Sequence, residues 1–391
     1  MNLSIVVHES FANGRQTDVF YGDFRNAFDT VWQRRLIEKL ASFNIGAKTA
    51  KWLCSFVVGR MNYVRIGNVS SRIYGSPSGV PAGSILGPML FSVFINDLVD
   101  VVAYAIMLLF ADDFKILMEI AHVNDTRKLQ DDIDKIIEWC AANRLYLNNA
   151  KCAMFTASRS QAIISTNYTI GDYVIERKEE IRDLGVILDR RFTFAAHIET
   201  ITASARQMIG YLKRVSNGEF TKKTQRVLYL AYVRPKLEFG SVIWKPHQNV
   251  YIDDIESVQK QFVIYLLDSR RGAPSFRLAP YVDRCNILRI QTLKMRRDVF
   301  DAVLAYDLFV RNVNDSFVDS RVRRSDVNRS LRRQRLVIEP HYRQNDLYYQ
   351  PIARLMRILN QYGQIVTDCN DRFEFRSNII ERLTVDRVSA N

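Results

Sequence analysis

Two strand-like stretches, the apolar 101–110 and the mainly apolar 114–118 with Lys115 in it, are separated only by Ala111-Asp112-Asp113. The longest uninterrupted run, 101–111, falls well short of the ~20 apolar residues that a membrane-spanning helix needs, and it gives way to the two aspartates. The pattern is that of two extended strands joined by a tight turn, with a pair of carboxylates at the turn. Another strand signal, Val19-Phe20-Tyr21-Gly22, closes on Asp23. If the three strands share a sheet, Asp23, Asp112 and Asp113 meet at one edge of it.

Each carboxylate alone has an ordinary explanation. An Asp at a strand end is commonly a turn or cap residue, and an Asp-Asp pair between strands commonly closes a hairpin. Three together are different, because like charges repel unless a cation sits among them. Hard divalent ions take oxygen ligands and keep waters and phosphate oxygens around them. Two such ions activate an attacking hydroxyl and hold the leaving oxygen of a phosphoryl displacement. The residues by themselves leave both readings open, a two-metal site acting on nucleic acid or turns that happen to be acidic.

The surrounding pattern is mixed. Leu36, Ile37 and Leu40 predict a helix within 31–43, and Trp52, Leu53, Phe56 and Val57 another. Ser76-Pro77-Ser78-Gly79 is a turn signal. Pro88 is placed to open a helix with Leu90, Phe91, Phe94, Ile95 and Leu98 on one face. Asp125 is expected to cap a long helix that buries Leu129, Ile133, Ile136, Ile137 and Cys140. Short strands are expected at 152–156, 168–170 and 181–188. As far as Leu188 the fold class is therefore α+β, a mainly antiparallel sheet with helices on one face. After His197 only helical spacing remains. It runs through Ile198, Ile201, Ala205, Met208, Ile209 and Leu212, then Val227, Leu228, Ala231 and Leu237 with a kink at Pro235, then Ile255, Val258, Phe262, Tyr265 and Leu266.

At 391 residues and 48% apolar composition, the chain can bury cores for two or three domains. Lys and Arg number 55 against 42 Asp and Glu, a formal charge of +13. Such a balance suits nucleic acid or an anionic membrane surface and specifies no fold. Residues 270–391 hold 22 Arg and one Lys against 14 acids. Guanidinium pairs bidentately with phosphate, so contacts to a nucleic-acid backbone are expected there first. Cys54, Cys140, Cys152, Cys285 and Cys369 form no C-x-x-C pair and have no His at zinc spacing. This argues against a structural zinc or a disulfide framework and fits a reducing compartment. Residues 1–7 do not read as a signal peptide. The expectation is an intracellular protein, cytoplasmic and nuclear, neither secreted nor membrane-bound.

Five motifs carry a more specific resemblance. Tyr21-Gly22-Asp23-Phe24-Arg25-Asn26-Ala27-Phe28-Asp29 resembles motif A of non-LTR retrotransposon reverse transcriptases. Ser78-Gly79-Val80-Pro81-Ala82-Gly83-Ser84-Ile85-Leu86-Gly87-Pro88, continuing to Ile95-Asn96-Asp97-Leu98, resembles their motif B. Phe110-Ala111-Asp112-Asp113 resembles motif C, Asn148-Asn149-Ala150-Lys151-Cys152 motif D, and Asp183-Leu184-Gly185-Val186 the primer-grip motif E. All five stand in family order. Val233-Arg234-Pro235-Lys236-Leu237-Glu238-Phe239 is similar to the thumb of jockey-type elements.

The resemblance implies a right-hand polymerase, with a palm over 1–192, a helical thumb over 193–270 and a basic helical C-terminal segment over 271–391, looped near 321–335. It implies RNA-directed DNA synthesis, in which a primer 3′-OH attacks a dNTP on an RNA template and pyrophosphate leaves. Asp23, Asp112 and Asp113 would be the catalytic carboxylates, holding two Mg²⁺ or Mn²⁺ ions. Phe24, Phe28, Gly79, Ala82, Gly83 and Lys151 would meet the nucleotide, and Leu184 and Gly185 the primer. Phe28 matches the aromatic gate whose ring excludes a ribose 2′-OH, core packing being the alternative. Gly79 and Gly83 would allow close approach of the loop. Lys151 would stand near the pyrophosphate as a proton donor, an ordinary exposed lysine being the alternative.

Three departures stand out. Motif B usually has Gln where this chain has Ala82, and motif A usually has Lys where it has Asn26, though Arg25 keeps a positive charge nearby. The chain also begins just ahead of motif A, so fingers and endonuclease are expected to be missing. A second expectation follows, a nucleic-acid-binding remnant with the fold intact and little or no catalysis.

Overall fold

Strand β1 starts earlier than its apolar core, at Gln16, and runs to Gly22. The structure is a computed structural model that describes residues 1–216, 219–268, 279–311, 316–322, 336–339, 348–369 and 371–388. Two small ribbons follow β1, with β2 (Met61–Asn62) pairing β5 (Tyr74–Gly75) and β3 (Arg65–Ile66) pairing β4 (Val69–Ser70). Next come β6 (Ile106–Phe110), β7 (Asp113–Ile120) and β8 (Ala153–Ala157). After them lie β9 (Thr169–Ile170), β10 (Tyr173–Val174) and β11 (Glu176–Lys178). The principal sheet has the order β11-β8-β1-β7-β6, antiparallel except for β11 on β8. The strand that leads to Asp23 is thus flanked directly by the Asp112–Asp113 hairpin.

The chain divides into two compact units, Asn13–Glu179 and Met1–Ala12 with Glu180–Asn391. In the first, Phe20, Phe24, Phe114 and Ile116 from the sheet share one core with Leu36, Leu53, Phe91, Phe94 and Ile133. Those five come from the helices Gln33–Ser42, Ala47–Val57, Leu86–Ile95 and Val123–Asn143.

Several expectations are corrected here. The strand expected from residue 101 begins only at Ile106, and Asn96–Val101 is a 3-10 turn. The amides of Ala103, Tyr104 and Ala105 donate to the buried Asp132 carboxylate at 2.9, 2.8 and 2.8 Å, which holds this backbone out of the ladder. Asp125 is not the N-cap. His122 is, and Asp125 reaches back to accept from its amide at 3.0 Å in a reciprocal capping box. Trp52 faces solvent, leaving Leu53 and Val57 as the buried side chains of their helix. Leu86, not Pro88, opens the next helix, where Ser84 Oγ accepts from the Gly87 amide at 2.9 Å.

The second unit contains a helix that the sequence pattern did not announce, Asn2–Ala12, whose Ile5 packs into a core with Val299, Ile352 and Leu355. The expected strand 181–188 is a hairpin of β12 (Glu180–Asp183) and β13 (Val186–Asp189). Helices follow, beginning with Ala195–Ser216. In the predicted helix around Pro235 the buried residues are Gln225, Tyr229, Val233 and Leu237, while Val227 is exposed. The turn Tyr229–Val233 widens into a π-helix just ahead of Pro235, which lacks the amide to continue an ordinary ladder. Some arginines of the basic end are engaged inside this unit, Arg296 with Glu238, Arg354 with Asp301 and Arg321 with Glu9. The loop expected at 321–335 lies largely outside the described residues. Among the described residues no helix is long and apolar enough to cross a membrane.

Candidate active site

Register decides what meets Asp23. β1 and β7 pair from Gln16↔Ile120 to Gly22↔Phe114, so one step further Asp23 stands opposite Asp113. Antiparallel partners have Cα atoms about 4.5–5.5 Å apart. The pairing depends on residue 22 being glycine, because a Cβ there would lie 2.0 Å from Cζ of Phe114. That buried ring is tilted on Phe24 with centroids 4.9 Å apart and edge-on to Phe20 at 6.0 Å. Side chains alternate across a strand, so with these rings in the core, Tyr21, Asp23, Asp113 and Lys115 take the other face. There the Lys115 ammonium lies 5.6 Å from the centre of the Tyr21 ring.

The hairpin ladder closes at Phe110↔Asp113, leaving Ala111 and Asp112 as its turn. Ala111 has φ 53, the left-handed region that an alanine enters with some strain. Asp112 and Asp113 are exposed and Asp23 is half-buried. Oδ1 of Asp23 is shielded from solvent and accepts no hydrogen bond, with the Lys151 ammonium 3.5 Å away. Lys151 reaches this position because residues 146–148 run alongside 23–25. The Arg25 amide donates to Tyr146 O at 2.9 Å, and the Asn148 amide donates to Asp23 O at 2.8 Å. Among the described residues no group of three or more His, Cys, Asp and Glu is gathered to hold a metal. The donor set still fits a hard divalent cation, because Mg²⁺ sites commonly use one or two carboxylates completed by waters and phosphate oxygens. Asp23 and Asp113 supply the neighbouring pair, and Asp112 stands beside them at the turn.

A loop packs on the short helix that follows Asp23 in the chain. Phe28, half-buried on the short helix Ala27–Thr30, stacks on Phe91 with centroids 4.5 Å apart. Loop 78–80 is pinned to that helix. The Val80 amide donates to Phe28 O at 2.9 Å, the Gly79 amide to Val31 O at 2.8 Å, and Ser78 Oγ to Asp29 O at 2.8 Å. Gly79 has φ 78, and a Cβ on it would lie 2.7 Å from Asp29 O. The close approach that requires this glycine is therefore to the chain's own backbone. Gly83, also at positive φ, has nothing within 4 Å of an added Cβ, and with the exposed Ala82 it borders open space. The Phe24 ring lies in the core, so only its backbone is available to a nucleotide.

Arg60 was not anticipated. Its Nη2 donates to Gly79 O at 2.7 Å and Ser78 O at 3.1 Å, and burial lowers its pKa. No local signal marks it, since these partners lie 19 and 18 positions away. In the other unit, Leu184 (φ 45) and Gly185 (φ 90) form the two-residue turn of the β12–β13 hairpin. Leucine in that conformation costs about 1–2 kcal/mol, and its side chain is nonetheless exposed.

A family model described as reverse transcriptase (RNA-dependent DNA polymerase) matches residues 4–188. The chain is 28% identical over 248 residues to a probable RNA-directed DNA polymerase from transposon BS of Drosophila melanogaster, covering 60% of this chain and 27% of that protein. It is 27% identical over 262 residues to the RNA-directed DNA polymerase from mobile element jockey of Drosophila funebris, covering 64% and 28%. The chain thus spans little more than a quarter of the length of these relatives. Among solved structures, apo telomerase from Candida tropicalis aligns with a TM-score of 0.38 at 9% identity, covering 81% of this chain and 55% of that one.

Proposed function

We propose that this chain, whose residues 4–188 match a reverse transcriptase family model, is an RNA-directed DNA polymerase of a non-LTR retrotransposon. Residues 1–192 are read as its palm, 193–270 as its thumb and 271–391 as a basic appendix. Asp23, Asp113 and Asp112 would hold two Mg²⁺ or Mn²⁺ ions, which would lower the pKa of the primer hydroxyl and balance charge on the phosphates. Lys151, beside Asp23, offers a proton and a positive charge to the departing pyrophosphate. Phe28 closes the space a ribose 2′-OH would fill, and Ala82 and Gly83 border the base and sugar. The Leu184-Gly185 turn meets the primer, and the RNA template pairs with the incoming dNTP.

The observation that carries this reading is the β1–β7 register, whose last pair, Gly22↔Phe114, leaves Asp23 and Asp113 as the next residues on the two strands, while Oδ1 of Asp23 accepts no hydrogen bond and has the Lys151 ammonium 3.5 Å away. A second reading, a nucleic-acid-binding remnant, is favoured by Ala82, an exposed methyl group where motif B carries a polar amide. Phosphoryl transfer rests chiefly on positioning, so one lost contact to the nucleotide removes much of the rate. Primer extension on an RNA template separates the two. The polymerase reading expects weak synthesis that Ala82→Gln raises and Asp112→Asn/Asp113→Asn abolishes. Synthesis that survives the double substitution sinks the site assignment. Retained RNA–DNA binding with no synthesis by either the chain or Ala82→Gln selects the remnant.

A further inference from the structure

From Lys39 to Asn96, both included, the chain has six Lys and Arg residues and not one Asp or Glu. Within this stretch, residues 61–75 are exposed throughout except for the half-buried Asn62. They form an arm of two short ribbons, β2 with β5 and β3 with β4, with Ile66 78% and Val69 74% exposed near the tip. An isolated two-stranded hairpin is marginally stable in water, and this one has no core of its own.

We propose that this arm, with the helix Ala47–Val57 at its root, binds an unpaired nucleic-acid strand. Lys48, Lys51, Arg65 and Arg72 are exposed, giving a surface of one sign suited to a phosphate backbone. Trp52, Tyr63 and Tyr74 are each more than half exposed, and Trp52 is held by stacking on Phe56 with centroids 5.8 Å apart. Cations that follow the backbone and rings that stack on bases are the means by which single strands are held without sequence preference. A duplex hides its base faces, so the rings favour the unpaired strand. The aliphatic tip adds apolar contact to the same strand.

The arm is rooted on the loop that is pinned to the helix Ala27–Thr30. The Ser76 amide donates to Arg60 O at 2.9 Å, closing the base. Arg60 also grips loop 78–80, which lies against Phe28 and Val31. A strand lying on the arm is therefore led toward the loop pinned to Phe28, Asp29 and Val31, a few residues after Asp23 in the chain. The proposal rests on the polymerase reading only in taking that strand to be the template.

The test is fluorescence anisotropy of the full chain with a labelled 20-nucleotide oligouridylate. Tyr63→Ala/Tyr74→Ala should weaken binding about tenfold or more, the scale of lost base stacking, and leave the salt slope unchanged. Arg65→Ala/Arg72→Ala should lower the log–log salt slope by about 1.4, roughly 0.7 for each phosphate released on a single strand. All four side chains are exposed, and unchanged circular dichroism excludes unfolding. Parental affinity and slope in both pairs overturn the proposal. So does RNA binding that stays parental while sedimentation shows a dimer lost on substitution, which would mark the arm as a self-association surface. Lost RNA binding in a chain that extends no primer leaves the arm standing and sinks the polymerase reading. Parental RNA binding by the arm variants in a chain that does extend primers sinks the arm alone.

Discussion

Gly22→Ala adds one carbon where the candidate site is least able to take it. Non-bonded carbons rest about 3.5–4.0 Å apart, whereas the new Cβ would stand 2.0, 2.3 and 2.6 Å from three ring carbons of Phe114. The ring would have to retreat by about 1.5 Å or more. It has nowhere to go, being 2% exposed and enclosed by Phe20 and Phe24. Over-packing of this kind costs about 1–3 kcal/mol, and the upper end is expected because β1 or β7 must move with the ring. Hydrogen exchange at the β1–β7 amides reads the loss directly. The wider spacing between Asp23 and Asp113 should also weaken any cation bound by both. Phe114→Leu removes the atoms in conflict, so the double variant should be more stable than the sum of the single effects by at least about 1 kcal/mol. Additivity to within about 0.5 kcal/mol would refute the claim that Gly22 is required by the Phe114 ring.

Two further outcomes follow from the first unit. Asp18 is fully buried and accepts from Thr156 Oγ1 at 2.8 Å, Tyr168 OH at 2.8 Å and Gln16 Nε2 at 3.0 Å, with Arg177 3.6 Å away. Asp18→Asn presents an amide to these donors and leaves Arg177 without its counter-charge, so denaturant unfolding should show a loss of about 3–5 kcal/mol; parental stability contradicts this. Burial raises the pKa of Asp132, but the amides of Ala103, Ala105 and Tyr104 together with Lys135 outweigh it and hold the carboxyl below its ordinary value. A lowered folded-state pKa gives stability that is full above the unfolded value of about 3.9 and is lost as pH falls through the folded value. Asp132→Asn should therefore destabilise the chain at pH 7 and flatten the acid limb below about pH 4; an acid limb as steep as the parent's refutes the assignment.

The parts legible in the sequence were those set by local pattern. The run Val19-Phe20-Tyr21-Gly22 before Asp23 and the apolar residues on either side of Ala111-Asp112-Asp113 contain their own strand signals, and the two strands pair directly. What escaped was set by partners distant in sequence. Residues 103–105 are as apolar as a strand, yet Asp132 on a later helix takes their amides. Gly79 looks like a glycine kept for a ligand, and only the Asp29 carbonyl 2.7 Å from its absent Cβ reveals the backbone it packs against. Leu3, Ile5, Val6 and Phe11 carry the apolar content of a helix, but their burial depends on its own unit, whose other residues begin at Glu180. The arm at 60–76 was not read as any element, and no local rule says that its ribbons stay in solvent.

Asp23 and Asp113, the residues next after the last β1–β7 pair, are proposed to form a divalent-cation site. Mn²⁺ titration followed by electron paramagnetic resonance tests it without requiring catalysis, using the chain, Asp23→Asn and Asp113→Asn, with Asp172→Asn as a control on an exposed loop. Weak, saturable binding is expected for the chain and the control, and none above background for Asp23→Asn or Asp113→Asn. Equal Mn²⁺ binding by all four proteins would contradict it.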